Sequence, residues 1–327
     1  MVAEIPNRLI FIWFGPRLSY SHYLAVGSAV QCCRPEETLL LVDGLDETDP
    51  ISKRILALPS VRVVRGPRDV VRDVPARGRA LTEIFDDLGK PEAKANLVRL
   101  AALQRWGGVY LDFDTLTVKD LAVLRRAHRG FCGLEHLTEP ASAASQPPLV
   151  REPVRWLRQR YRAWCARRPN GVAAFRRAAF LYPRAVNNAV LGSVPDSPAL
   201  DQLLDRALAL PRELRGRRFV LGTHLLQQVT RNRSTPDFTV LDPGYFYPLG
   251  PKLSGHWFRP GSAARVDEYL TPQTAVVHWY ASNERDVGGI DVRWIEENRG
   301  SVAFAALVDR VTGSLPGHFG DELADHL

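Results

Sequence analysis

Apolar residues recur along this chain with two periods, and their alternation predicts strands interleaved with helices. "RLIFIWFG" (8–15) is a short β-rich run closed by Gly15-Pro16, which predicts a buried first strand. "SHYLAVGSAVQCC" (21–33) has helical spacing, and "TLLLVDG" (38–44) and "VRVVRG" (61–66) read as two further strands. Strands alternating with helices argue for a mostly parallel sheet. The clearest helix is "PEAKANLVRLAALQRW" (91–106), where Pro91 suits the first turn and Gly107-Gly108 stop it. "VYL" (109–111) is then a strand, with Asp112 at its C-terminal end. Ligands of open α/β sheets bind outside those ends.

Further on, the pattern changes character. "TEPASAASQPP" (138–148) reads as a surface loop. Residues 151–184 are rich in arginine and aromatics with helical spacing, either a solvated helix face or a patch for an acceptor or a membrane surface. "AVNNAVLGSVPDSPALDQLLDRALAL" (185–210) reads as strand or turn, then helix; "LGTHLLQQVT" (221–230) starts another helix. "FTVLDPGYFYPLGP" (238–251) is strand and turn, and "TAVVHWYAS" (274–282) a final buried strand carrying His278. With no internal repeat and no long linker, one domain over 1–327 is expected, with a helical insertion at approximately 150–184.

Charge adds a hint about partners. The chain of 327 residues carries a net +7, nearly all from arginine, since lysine occurs only at 53, 90, 94, 119 and 252. Arginine makes planar, bidentate contacts to phosphate and carboxylate, so an anionic ligand or acceptor fits. Arginine-rich codon usage would leave the same trace. Nothing resembles a compact nucleic-acid-binding module, and no nucleic-acid partner is expected. No apolar run is long enough for a transmembrane segment, although peripheral membrane contact is compatible with the arginine-rich stretch. The run from Leu9 to Phe14 is too short for a signal-peptide core, so a cytoplasmic location is expected. Cysteines 32, 33, 132 and 165 form no metal-ligand spacing and read as reduced thiols.

The candidate chemistry lies in "WGGVYLDFDTLTV" (106–118). Two carboxylates at i and i+2 leaving a strand end can reach one hard cation, and Mg2+ or Mn2+ prefers such oxygen ligands. A cation bridging a diphosphate stabilises the charge that grows as the diphosphate leaves. An Asp-x-Asp tripeptide is weak evidence alone, and also opens haloacid-dehalogenase-type phosphatases. That motif lies near the chain start, whereas this one is past residue 110, followed by Thr115-Leu116.

The block "KANLVRLAALQRWGGVYLDFDT" resembles the core of the Asp-x-Asp sugar-binding glycosyltransferases. That family includes yeast-type initiating mannosyltransferases, bacterial capsular-polysaccharide sugar transferases and, more distantly, the large clostridial glucosylating toxins. "IPNRLIFIWFGP" is similar to the family's opening strand, "AVNNAVLGSVPDSPAL" to its central Asn-Asn segment and "TAVVHWYAS" to its closing strand. The resemblance implies an α/β, GT-A-type, Rossmann-like fold: a mostly parallel sheet flanked by helices. It also implies a nucleotide-sugar donor, a divalent metal and retention of anomeric configuration. On the matching positions, Asp112 and Asp114 correspond to the metal and donor-phosphate contacts, and His278 to a closing residue near the metal. Trp13 corresponds to the nucleobase-stacking tryptophan, with Phe14 beside it. Arg99 matches the helix arginine that reaches donor sugar or phosphate, and shares a helix face with Asn96 at i,i+3. Asn187 and Asn188 match a segment lining the donor-sugar and acceptor side, with Asn188 as the catalytic candidate; turn chemistry explains such asparagines equally well. Ser282 matches a serine near the leaving phosphate.

Three departures stand out: Ile10 where the family often has His, Asn96 in place of an aspartate that contacts sugar hydroxyls, and Asn283 in place of a closing tryptophan. The expected function is therefore a metal-dependent (Mn2+ or Mg2+), retaining hexosyltransferase. Its expected donor is a UDP-hexose, and its acceptor a hydroxyl of a small molecule (a natural product or nucleoside-like compound) or a polysaccharide precursor. The alternatives are a non-catalytic sugar-nucleotide- or carbohydrate-binding protein and the phosphatase.

Overall fold

The computed structural model describes residues 4–138, 148–231, 238–281 and 289–313. The chain opens with β1 (Arg8–Phe14), α1 (Tyr20–Cys33), β2 (Glu37–Asp43), α2 (Pro50–Leu56) and β3 (Val61–Arg65). Three helices follow, α3 (Pro67–Arg72), α4 (Gly78–Asp87) and α5 (Pro91–Trp106), then β4 (Gly108–Leu111) and β5 (Thr115–Thr117). Next come α6 (Ala122–Ala127), β6 (Gly130–His136), α7 (Pro148–Arg167), α8 (Gly171–Ala178) and β7 (Arg184–Ser193). The remainder is α9 (Pro198–Ala209), α10 (Arg212–Arg215), α11 (Leu225–Arg231), β8 (Phe238–Leu241), α12 (Val266–Tyr269), β9 (Val276–His278), α13 (Val292–Asn298) and α14 (Ala303–Thr312).

Seven strands form one sheet in the order β3-β2-β1-β4-β7-β6-β8. β7 is antiparallel to both its neighbours, and every other pairing is parallel, so six strands run one way. This is the expected mostly parallel α/β sheet. Its strands are apolar on both faces because helices cover both. Along β1, Leu9 and Phe11 enter one apolar core with α1 and α14, while Ile10 and Ile12 enter a second with α4, α5, α9 and α11. β1 leads away to β2 and β3, and β4 lies on its other side. The crevice at the C-terminal ends of β1 and β4 is thus the topological switch point where such sheets bind ligands.

The α5-to-β4 turn explains the Gly-Gly pair. Gly107 has φ +61°, and a Cβ there would stand 2.6 Å from the Pro195 ring; Gly108 has φ +117°, and its Cβ would stand 2.6 Å from the Arg8 carbonyl oxygen. Only glycine lets the chain turn this tightly into the sheet centre.

Three expectations change. The closing strand is short, only Val276–His278, and it pairs antiparallel with β5 outside the main sheet. The helix expected from 221 begins with a π turn, Val220–His224, kinked at Gly222, before α11 proper. β6 was not foreseen: its sequence, GFCGLEH, carries two glycines that mask the strand pattern. Most of the expected 138–148 loop lies outside the described residues, as do Ser282 and Asn283.

Candidate active site

The Asp-x-Asp tripeptide leaves β4 with its three side chains directed three ways. Asp112 extends the ladder, its N–H donating to the Ala189 carbonyl of β7 at 2.8 Å. Its Oδ1 accepts from Arg99 Nη2 of α5 at 3.0 Å and from the Tyr110 hydroxyl. Phe113 turns to the other face and meets Trp13 (5.6 Å between ring centroids) and His22 (4.9 Å). Asp114 reaches towards β9: its Oδ1 lies 3.0 Å from His278 Nε2, and its Oδ2 accepts from the Ala281 N–H at 3.0 Å. Pairing of β5 with β9 sets Thr115 opposite His278, which delivers the histidine to this spot.

Ligand atoms of Asp112, Asp114 and His278 all lie within 4.8 Å of one another, and this is the one such cluster among the described residues. Two carboxylates and an imidazole suit Mn2+ or Mg2+, with room left for waters or phosphate oxygens. Burial pulls the His278 imidazole down, but the Asp114 carboxylate outweighs it and the net direction is up. Burial raises the Asp114 carboxyl, while His278 and the Ala281 N–H lower it further, and the net direction is down. Both shifts favour an ion pair. His278 Nδ1 is buried without a partner.

Arg99 is only 5% exposed. It lies over the Tyr110 ring at 4.0 Å and donates to the Tyr110 hydroxyl, Asp112 and the Asn188 carbonyl. It therefore braces Asp112 and β7 from within the core rather than standing at the surface. Asn96, one turn earlier, accepts from Asn188 Nδ2 at 2.8 Å, so the shared helix face holds. The two asparagines divide their roles. Asn187 Oδ1 accepts from the Ala189 N–H two residues on, which is turn chemistry, and its Nδ2 donates to Glu135. Asn188 lines, with Asn96, Arg99 and Gly222, a small cavity of about 10 Å³ behind Asp112. A register shift between Cys132 and Gly133 of β6 lets β7 bulge there and re-aims these side chains.

Trp13 sits at the end of β1 against His22 (4.5 Å), and its Nε1 is buried without a partner, a donor still to be satisfied. Phe14, next along the strand, points to the opposite face and packs on Phe85 of α4. Of the two, Trp13 shares the Phe113 face.

Three contributors escaped the sequence reading. Tyr110 shares its strand face with Asp112 at i+2, a signal that was available. His22 was hidden inside a helical pattern; burial lowers it to about 4 against the pull of Asp114, and its Nδ1 accepts from the Ser19 N–H. Glu135 accepts from Asn187 and from the Tyr280 hydroxyl, and the Tyr280 ring lies 4.0 Å from His278. Burial raises the Glu135 carboxyl.

Residues 67–130, which include α5 and the Asp-x-Asp tripeptide, match the family described as the glycosyltransferase sugar-binding region containing a DXD motif. No curated protein matches the chain. Among solved structures, mouse xyloside xylosyltransferase 1 in its apo form is similar at 13% identity, over 85% of this chain and 98% of that one, with a TM-score of 0.47. The PaToxG glycosyltransferase aligns at 15% identity over 71% and 70%, with a TM-score of 0.43. The galactosyltransferase LgtC, solved with donor and acceptor sugar analogues, aligns at 11% identity over 96% and 98%, with a TM-score of 0.42.

Proposed function

We propose that this chain, whose residues 67–130 match the glycosyltransferase sugar-binding region containing a DXD motif, transfers a hexose from a UDP-linked donor to an acceptor hydroxyl, with a divalent cation and with retention of configuration. The observation that carries this reading is the convergence of Asp112, Asp114 and His278 beside the β1–β4 crevice. A bound Mn2+ or Mg2+ supplies positive charge against the departing diphosphate. Asp112, Asp114 and His278 would hold it. His278 orients Asp114, and Arg99 with Tyr110 orients Asp112. Trp13 offers the nucleobase an apolar ring and an unpaired N–H. In this reading the Asn96–Asn188 amide pair offers the donor sugar's hydroxyls both a donor and an acceptor.

Glu135, a third carboxylate nearby, is buried and occupied by Asn187 and Tyr280. That disfavours a covalent glycosyl-enzyme and supports departure and attack on one face of the sugar. A small molecule or a polysaccharide precursor bearing an anionic group is the acceptor class that fits the arginine excess. We read the chain as one catalytic domain working in the cytoplasm, with α7 and α8 inserted between β6 and β7. The deciding experiment is thermal shift with UDP and UDP-hexoses, with and without Mn2+, followed by donor hydrolysis assays. Hydrolysis or transfer that survives both EDTA and Asp114→Ala overturns the reading.

A further inference from the structure

Among the described residues, eight large apolar side chains are exposed, and six belong to α7 and the turn after α8: Val154, Trp156, Leu157, Trp164, Phe180 and Leu181. The same stretch, 148–184, holds ten arginines and one acidic residue, Glu152, so it carries more positive charge than the whole chain's net +7. Apolar and basic groups are combined on one face. Trp156, Arg160 and Trp164 recur every four residues and form a single exposed stripe, and exposed Arg168 follows just past the helix end. Arg160 lies over the Trp156 ring at 4.9 Å, and Arg168 over the Trp164 ring at 5.6 Å.

The opposite face of α7 is tied down. Arg162 and Cys165 are buried, Tyr161 donates to the Ala174 carbonyl at 3.0 Å, and the Arg158 carbonyl accepts from Tyr182 at 2.7 Å. The Cys165 carbonyl also meets His256 Nε2 at 3.1 Å. The helix is therefore fixed to the body of the protein while its aromatic stripe stands in water. Phe180 and Leu181 directly precede Tyr182, which sets them next to the middle of the helix.

We propose that the outer face of α7, with Phe180 and Leu181, is a docking surface for an anionic phospholipid bilayer. Tryptophan rings settle at the headgroup level, where one edge is apolar and the other is wet. Arginines interleaved with them meet lipid phosphates. The excess of ten arginines over one acidic residue across 148–184 matches a densely anionic surface, which a bilayer of acidic headgroups presents. A nucleic-acid partner gives no reason for exposed Leu157, Phe180 and Leu181. No helix among the described residues is long and apolar enough to cross a membrane, so the contact is one that lies on the surface.

The test is co-sedimentation of the full chain with vesicles of phosphatidylcholine alone and with about 30 mol % phosphatidylglycerol added. Binding should be at least about tenfold tighter to the anionic vesicles, and Trp156→Ala with Trp164→Ala should weaken it about tenfold. Arg160→Glu with Arg168→Glu should abolish it. Should the tryptophan variant fold poorly, Leu157→Glu with Phe180→Glu, both at exposed positions, must show the same loss. Absence of binding to either vesicle overturns the proposal. So does anionic binding that ignores the apolar substitutions, or retention on a nucleic acid without vesicle binding. The assay needs neither donor nor acceptor, so its failure leaves the transferase reading untouched.

Discussion

His278 Nε2 lies 3.0 Å from Asp114 Oδ1, although 164 residues of chain separate them. The small β5–β9 sheet makes this contact, not the large one. It joins β9, late in the chain, to the carboxylate that follows β4.

Replacing Asp114 by Asn keeps the shape and one acceptor oxygen but removes the charge. Mn2+-dependent thermal stabilisation by UDP should vanish, and donor turnover should fall at least about 100-fold. An Asp114→Asn protein whose Mn2+ response matched the parent would remove Asp114 from the metal site.

His278 belongs to the candidate metal cluster and its Nε2 lies against Asp114. His278→Ala should weaken Mn2+ binding by about 10- to 100-fold, as loss of an orienting partner does. Titration calorimetry with Mn2+ reads this directly. Turnover lost with unchanged Mn2+ affinity would place the histidine on the substrate instead.

Much of this arrangement was legible from sequence, and the reasons are specific. The Pro91–Trp106 helix and the strand before Asp112 carry strong local signals, namely a proline start, a Gly-Gly stop and an apolar run. The helix face shared by Asn96 and Arg99 follows from spacing alone. What escaped was long-range. Nothing local says that residues 276–278 leave the main sheet for β5, that His22 packs on Trp13, or that Arg99 is buried over the Tyr110 ring. β6 was lost because Gly130 and Gly133 lower strand propensity. Yet a Cβ at Gly133 would stand 2.7 Å from the Phe246 ring, so close packing demands the glycine.

Tyr110 tests whether Asp112 needs its bracing. Its hydroxyl donates to Asp112 Oδ1 and accepts from Arg99 Nη2. Tyr110→Phe keeps the ring under Arg99 and deletes only that bridge, so stability should drop by about 1–3 kcal/mol. Donor KM should rise more than kcat falls if Asp112 is mispositioned for binding. Urea midpoints and steady-state kinetics check the two parts. An unchanged midpoint would mean that water replaces the hydroxyl without loss.

Gly222 presses on the amide pair. A Cβ there would stand 2.6 Å from Asn188 Nδ2 and 2.9 Å from Asn96 Oδ1. Gly222→Ala therefore sets its new methyl group against both amides. The fold should persist with a cost of about 1–3 kcal/mol, while sugar transfer falls because the pair is pushed apart. UDP itself should bind as before, since it lacks the sugar. Equal losses for UDP and UDP-hexose binding would show that the pair does not face the sugar.

His22 gives the protein a defined response to acid. Burial lowers its imidazole from 6.5 to about 4 in the folded state. The unfolded chain therefore binds a proton first. The stability this neutral imidazole contributes is complete above pH 6.5 and is lost as pH falls through that window to about 4. At pH 5 the loss relative to neutral pH should be about 2 kcal/mol from this group. His22→Gln keeps an acceptor for the Ser19 N–H and removes the titration. Urea midpoints across this range should fall less steeply for the variant than for the parent. Parallel curves would show that the imidazole protonates without cost, and that the Trp13–His22–Phe113 cluster opens to water in the free protein.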